Sequence, residues 1–253
     1  MGWSAWEVFR CTTCEQDPEN CLSDKLIRQT TDAMVQHGFR DAGYNIVWID
    51  DCWQLKQRDA KGMLVPDPAR WPNGLKTVAD YVHSQGMKLG LYGDIGTATC
   101  EGFPGLLWDP ESGTPEHTVE QDAKQMAEWG VDAFKVDGCN ANVTHMKQLY
   151  PALGAALNTS GRPMVYSCSW PDYERSLSVP VDFALVAEHC NSWRIFWDVQ
   201  AGQYARTQTQ RYDCVSGAME FWASGSTMAG AEFSPQCPGD CKQVAICIEI
   251  DEF

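Results

Sequence analysis

At 253 residues, 44% hydrophobic and 21% charged, the chain has the composition of a soluble globular protein with one large core or two modest ones. A net charge of −15 with no cluster of Lys and Arg argues against nucleic acid or an anionic membrane surface as a partner. No apolar run approaches the roughly 18 residues of a membrane span. Twelve Cys and the sequons Asn142-Val143-Thr144 and Asn158-Thr159-Ser160 point to an oxidising, glycosylating compartment. Met1 nevertheless runs straight into Gly2-Trp3, with no charged start or apolar stretch, so the chain reads as a mature or incomplete form without a signal peptide.

The aromatic stretch from Gly2 to Phe9 predicts a first strand. Cys11, Cys14 and Cys21 then bracket an acidic loop. Disulfides suit them better than zinc, because no second Cys or His pair lies at a distance that completes four ligands. Ser23 caps a helix carrying Leu26, Ile27, Met34 and Val35 on one side, and Gly38 ends it. Ile46 to Ile49 is all apolar, as in a strand buried on both faces of a parallel sheet, and it runs into Asp50 and Asp51. Leu75, Val78, Ala79 and Val82 recur at helical spacing before Gly86, and the strand from Lys88 to Tyr92 leads to Asp94.

The cycle then repeats. Thr118 and Gln121 form a capping box for a helix burying Val119, Ala123, Met126 and Ala127, closed by Gly130. In the stretch Phe134 to Cys139, whose strand ends in Asp137, Lys135 and Asp137 point the same way, and a cation beside an acid favours its ionised form. That suits either a structural ion pair or a carboxylate nucleophile. A helix with Met146, Leu149, Tyr150, Leu153 and Leu157 on one face ends by Gly161 and leads to a strand over Met164 to Ser167. Phe183 to Ala187 reads as one more strand, before Trp193 and Arg194.

Alternating strands and helices with acids at successive strand ends predict an α/β fold of the (β/α)8 TIM-barrel type. A doubly wound sheet is less favoured, because no Gly-rich phosphate loop follows the first strand. About six of the eight strands are recognisable. Residues 1–199 are read as a partial catalytic barrel. Residues 200–253, with Cys214, Cys237, Cys241 and Cys247, are read as a divergent tail in which Val244 to Ile250 is a strand without an assigned partner.

Six motifs occur in the order seen in the family 27 glycoside hydrolases, and the chain resembles that family's animal lysosomal α-N-acetylgalactosaminidase and α-galactosidase branch. They are Met1-Gly2-Trp3-Ser4-Ala5-Trp6, Ile49-Asp50-Asp51-Cys52-Trp53, Leu91-Tyr92-Gly93-Asp94, Lys135-Val136-Asp137-Gly138-Cys139, Tyr166-Ser167-Cys168-Ser169-Trp170-Pro171 and Trp193-Arg194-Ile195-Phe196-Trp197-Asp198. The resemblance implies a retaining mechanism with Asp137 as nucleophile and Asp198 as general acid/base, two carboxyls about 5–5.5 Å apart. It implies Trp6 as a platform for the sugar ring, Asp50 and Asp51 as acceptors for its hydroxyls, and Tyr92, Lys135 and Arg194 as surrounding donors.

Specificity in this branch is implied at Ser169, where a small residue leaves room for a 2-acetamido group, and at Asp172, where a carboxylate matches the acetamide methyl poorly. The resemblance pairs Cys11 with Cys52, Cys14 with Cys21, Cys100 with Cys139, and Cys168 with Cys190. It implies no metal and no organic cofactor. It also implies terminal α-linked galactose-type sugars of glycolipids and glycoproteins as substrates, a homodimer, and a lysosomal or secreted location. The expected activity is hydrolysis of terminal α-N-acetylgalactosamine, with α-galactose as the alternative. After Val199 the seventh-strand, eighth-strand and β-domain motifs of the family are absent from the sequence, so an inactive form that at most binds galactosides or a partner is the third reading.

Overall fold

The structure, a computed structural model, describes residues 1–109, 115–195 and the backbone of 244–245. Its centre is a parallel sheet in simple chain order: β1 (Gly2–Ser4), β2 (Ile46–Ile49), β3 (Lys88–Asp94), β4 (Ala133–Asp137), β5 (Val165–Cys168), β6 (Ser192–Trp193) and β7 (Val244–Ala245). Every neighbouring pair is parallel, and the order never reverses. That excludes the switch point of a doubly wound sheet and leaves an incomplete (β/α)8 barrel. The described strands form an arc, and among the described residues no ladder joins β1 to β7.

The strands are connected through α1 (Trp6–Phe9), α2 (Asp24–Gln36), α3 (Gly74–Ser84), α4 (Val119–Trp129), α5 (Met146–Thr159), α6 (Trp170–Ser176) and α7 (Phe183–His189). Ser23 Oγ accepts from Leu26 N at 3.3 Å to start α2. Gly38 follows at φ +78°, a conformation that a side chain resists. Leu75, Val78, Ala79 and Val82 of α3 are all buried, as the spacing predicts. They join Val47, Ile49, Leu89, Leu91, Phe134 and Val136 in one core.

Four readings need correction. The first strand stops at Ser4, because Ala5 N makes the last bond to Trp48 O and Phe9 N turns back to Ala5 O, opening α1. The stretch Phe183 to Ala187 is helical: Asp182 accepts from Leu185 N at 3.1 Å, and this cap outweighs the short apolar run. The sixth strand is Ser192–Trp193 instead, and the fifth begins and ends one residue later than expected, at Val165 and Cys168.

At α4 only half of the capping box forms. Thr118 Oγ1 accepts from Gln121 N at 3.2 Å, while the Gln121 side chain donates to Lys61 O at 2.9 Å. Thr118→Ala is expected to cost about 1 kcal/mol in urea unfolding. The helix also buries two polar residues, Asp122 and Gln125, while Val119 and Ala127 stay half-buried. Asp122 takes both terminal nitrogens of Arg58, at 2.6 and 2.7 Å, and Arg58 also donates to the carbonyls of Gly62 and Gly105. A buried charge persists in a core only with such a partner.

The last expected strand is present as Val244–Ala245, beside β6. Cys214, Cys237, Cys241 and Cys247 lie outside the described residues.

Candidate active site

Acids crown the carboxyl ends of three consecutive strands: Asp50 and Asp51 after β2, Asp94 at the end of β3 and Asp137 at the end of β4. All four are buried. Asp94 and Asp137 stand opposite each other in the β3/β4 register, so the chain order alone puts them side by side.

Lys135 Nζ donates to Asp50 Oδ2 at 2.9 Å. The ion pair suggested by the spacing of Lys135 and Asp137 is thus directed across the sheet, to a residue 85 positions away. Asp50 follows β2 and Lys135 lies in β4, with β3 between them. Likewise Arg194, after β6, reaches Asp137 Oδ1 at 3.3 Å across β5. In a flat sheet alternate strands lie about 9.6 Å apart, and curling brings their inward side chains into one layer.

Asp137 is the best-supplied acid. Its Oδ1 accepts from the Tyr173 hydroxyl at 2.7 Å, from Arg194 and from Gly138 N at 3.1 Å, and its Oδ2 accepts from the Tyr92 hydroxyl at 3.2 Å. Burial pushes this carboxyl up, but the charges of Arg194 and Lys135, with the Tyr173 and Gly138 donors, outweigh it and hold the group below the ordinary carboxylate range. Tyr92 and Tyr173 are themselves raised, by burial and then by the Asp137 charge, so both remain neutral donors.

Asp94 has the opposite character. Burial, followed by the charge of Asp137, raises its carboxyl to about 7, against hydrogen bonds from Gly96 N at 2.7 Å and Cys139 N at 2.8 Å. Asp50 is raised by burial in spite of Lys135. Asp51 is raised by burial too, and its oxygens accept from Cys52 N at 2.7 Å and Glu101 N at 3.1 Å. The arrangement can therefore present one ionised carboxylate among acids that hold protons more firmly.

The remaining expected site residues divide into two groups. Ser169 and Asp172 are buried at the start of α6, joined by the bond from Asp172 N to Ser169 O at 3.1 Å. Asp172 neither turns to solvent nor stands free: its Oδ1 accepts from Arg175 at 3.2 Å and its Oδ2 lies 3.6 Å from Arg194. Trp6 is half-buried in α1, outside this hydrogen-bonded cluster, with the Arg10 guanidinium 5.7 Å from its ring centroid. Asp198 lies outside the described residues.

Tyr173 was missed, although it follows the Ser169-Trp170-Pro171 motif by two positions and belongs to α6, the helix after β5. Gly138 makes its approach feasible, since a Cβ there would stand 3.2 Å from the Tyr173 ring. Asp94 was seen as a strand-end acid but given no role.

Disulfides join Cys11 to Cys52, Cys14 to Cys21, Cys100 to Cys139 and Cys168 to Cys190. The third ties the loop after β3 to the exit of β4, two residues beyond Asp137. Among the described residues Asp94, Cys100 and Cys139 bring potential ligand atoms within 4.8 Å of one another. Both sulfurs are in the bridge, so the group offers no thiolate to a metal. No helix among the described residues is long and apolar enough to cross a membrane.

The family model of alpha galactosidase A, Melibiase_2, matches residues 1–216. Alpha-N-acetylgalactosaminidase from Gallus gallus is 50% identical over 201 residues, which are 79% of this chain and 48% of that protein. Alpha-galactosidase A from Homo sapiens is 42% identical over the same share of this chain and 44% of its own length. The crystal structure of alpha-galactosidase I from Mortierella vinacea aligns with a TM-score of 0.62 at 32% identity, covering 78% of this chain and 45% of that one. The chain thus spans about half the length of the relatives it matches. With the six motifs in order on consecutive parallel strands and the family model covering most of its length, the chain belongs to the Melibiase_2 family of alpha galactosidase A, within the family 27 glycoside hydrolases.

Proposed function

We propose that the chain carries the catalytic part of a retaining exo-α-glycosidase that releases terminal α-linked N-acetylgalactosamine from glycolipids and glycoproteins. The observation that supports it most is Asp137, a buried carboxylate kept ionised by Arg194, Lys135 and Tyr173 at the mouth of the barrel.

In the first step an Asp137 oxygen bonds to the anomeric carbon while the glycosidic C–O bond breaks, and Asp198 gives its proton to the departing oxygen. In the second step water attacks the same carbon, Asp198 takes the water's proton, and the Asp137 ester bond breaks. Trp6 would carry the apolar face of the sugar, and Asp50 and Asp51 its hydroxyls, with Tyr92, Lys135 and Arg194 as donors around them. No metal or organic cofactor enters this scheme.

Ser169 and the higher identity to the N-acetylgalactosaminidase support the acetamido sugar. Asp172 supports α-galactose as the second reading, because a buried carboxylate matches the acetamide methyl poorly. Residues 1–199 would form the partial barrel and 200–253 a divergent tail, whose Val244–Ala245 pairs with β6. Exposed Asn142 and Asn158 in sequons, with four disulfides, support a lysosomal or secreted glycoprotein, and a homodimer is the proposed assembly.

A fluorinated galactosyl reagent that traps the covalent intermediate tests the scheme. Peptide mass spectrometry should find the label on Asp137 at acidic pH. Folded protein that takes no label would leave the inactive, galactoside-binding form. Tyr173→Phe, which removes a 2.7 Å donor to Asp137, should move the acid limb of labelling up by roughly one pH unit.

A further inference from the structure

Asp172 is 5% exposed and close to the reacting acid. Its Oδ1 accepts from Arg175 at 3.2 Å and from the Ser176 hydroxyl at 3.5 Å. Its Oδ2 lies 3.6 Å from Arg194 Nη2, the nitrogen that also donates to Asp137 Oδ1 at 3.3 Å. One guanidinium nitrogen therefore serves two acids. Arg175 Nε donates to Ile195 O at 2.7 Å, so α6 also grips the residue next to Arg194. Between these contacts Tyr173 donates to Asp137, and its ring lies 6.0 Å from the Arg194 guanidinium carbon.

We propose that Asp172 is a positioning residue that shares Arg194 with Asp137, fixing the guanidinium between two acids and limiting how far it neutralises the attacking carboxylate. The inference rests on the reading of Asp137 as nucleophile. A planar guanidinium free to turn its fork onto one carboxylate would bind it bidentately and hold its lone pairs away from the sugar. Asp172 holds the shared Nη2 from the side away from Asp137, and Arg175 keeps Asp172 in place from behind. Among the described residues the other groups facing Asp137 are Asp50 from the end of β2, Tyr92 and Asp94 from β3, Lys135 from β4 and Tyr150 from α5. A change at residue 172 leaves all of these in position.

Asp172→Asn keeps the side-chain shape and removes the charge. Two measurements read its effect on Asp137: the pH dependence of trapping by the fluorinated galactosyl reagent, and a carbon-13 NMR titration of the aspartate carboxyls. In the titration the Asp137 signal is identified by its loss in Asp137→Asn. With the variant melting near the parent, both midpoints should fall by roughly one pH unit, and trapping above the midpoint should slow. Arg175→Met removes the brace and should move the Asp137 midpoint upward, because Asp172 then engages Arg194 more fully; this variant decides the matter if Asp172→Asn does not fold. An NMR midpoint unchanged in the folded variants overturns the sharing of Arg194. A parent that takes no label, but whose Asp137 midpoint still moves as described, overturns the nucleophile and leaves the shared guanidinium standing.

Discussion

Asp137→Asn should abolish turnover of an aryl α-N-acetylgalactosaminide and leave the chain folded. The loss expected is on the order of 10⁴-fold, about 5.4 kcal/mol in the barrier, because an amide cannot form the glycosyl ester. The fold should survive for a reason visible in the ion pairs. Removing one acid of a buried pair usually strands its partner at several kcal/mol. Here both cations have another acid: Lys135 is 2.9 Å from Asp50, and Arg194 is 3.6 Å from Asp172. The Tyr173 hydroxyl keeps an acceptor in the amide oxygen. Turnover and a urea unfolding curve, taken on one preparation, check the claim. Activity within tenfold of the parent would remove Asp137 from the chemistry, and loss of the folded state would make it a structural ion.

The rhythm of strands and helices was legible because it rests on local chemistry. Ser23, Gly38, Gly86 and Gly130 mark helix ends whatever the rest of the chain does, and α3 buries the residues its spacing singles out. Phe183 to Ala187 was misread because a five-residue apolar run fits either period, and the deciding Asp182 cap is a single polar side chain.

The site was legible only as a set of strand-end acids. Its pairings, Lys135 with Asp50 and Arg194 with Asp137, join residues 85 and 57 positions apart and depend on how far the sheet curls. Asp172 shows the limit most clearly. Read in isolation it is a poor neighbour for an acetamide. In the fold it sits one turn before Arg175 and facing Arg194, and its charge is already engaged.

The pH dependence of stability should carry the signature of Asp94. Burial and the neighbouring Asp137 charge raise its carboxyl from 3.8 to about 7 in the folded chain. Between these values the folded state keeps a proton that the unfolded chain releases, so stability must fall as pH rises through this window. The contribution is fully present below about pH 4 and lost by about pH 7, and its full size is about 4 kcal/mol. Asp137 acts in the opposite sense: its lowered carboxyl contributes above the ordinary carboxylate range and ceases to do so as pH falls through its folded value. The two together place the stability maximum on the acid side of neutrality. Urea unfolding at pH 4.5, 6 and 7.5 should show a declining series for the parent and a flatter one for Asp94→Asn. The slope is the quantity to compare, since an asparagine oxygen can satisfy only one of the Gly96 and Cys139 N–H donors and lowers stability equally at every pH. Equal slopes would mean that Asp94 is ionised beside Asp137 at acidic pH, and that the division of these neighbouring acids into one ionised and one protonated group is wrong.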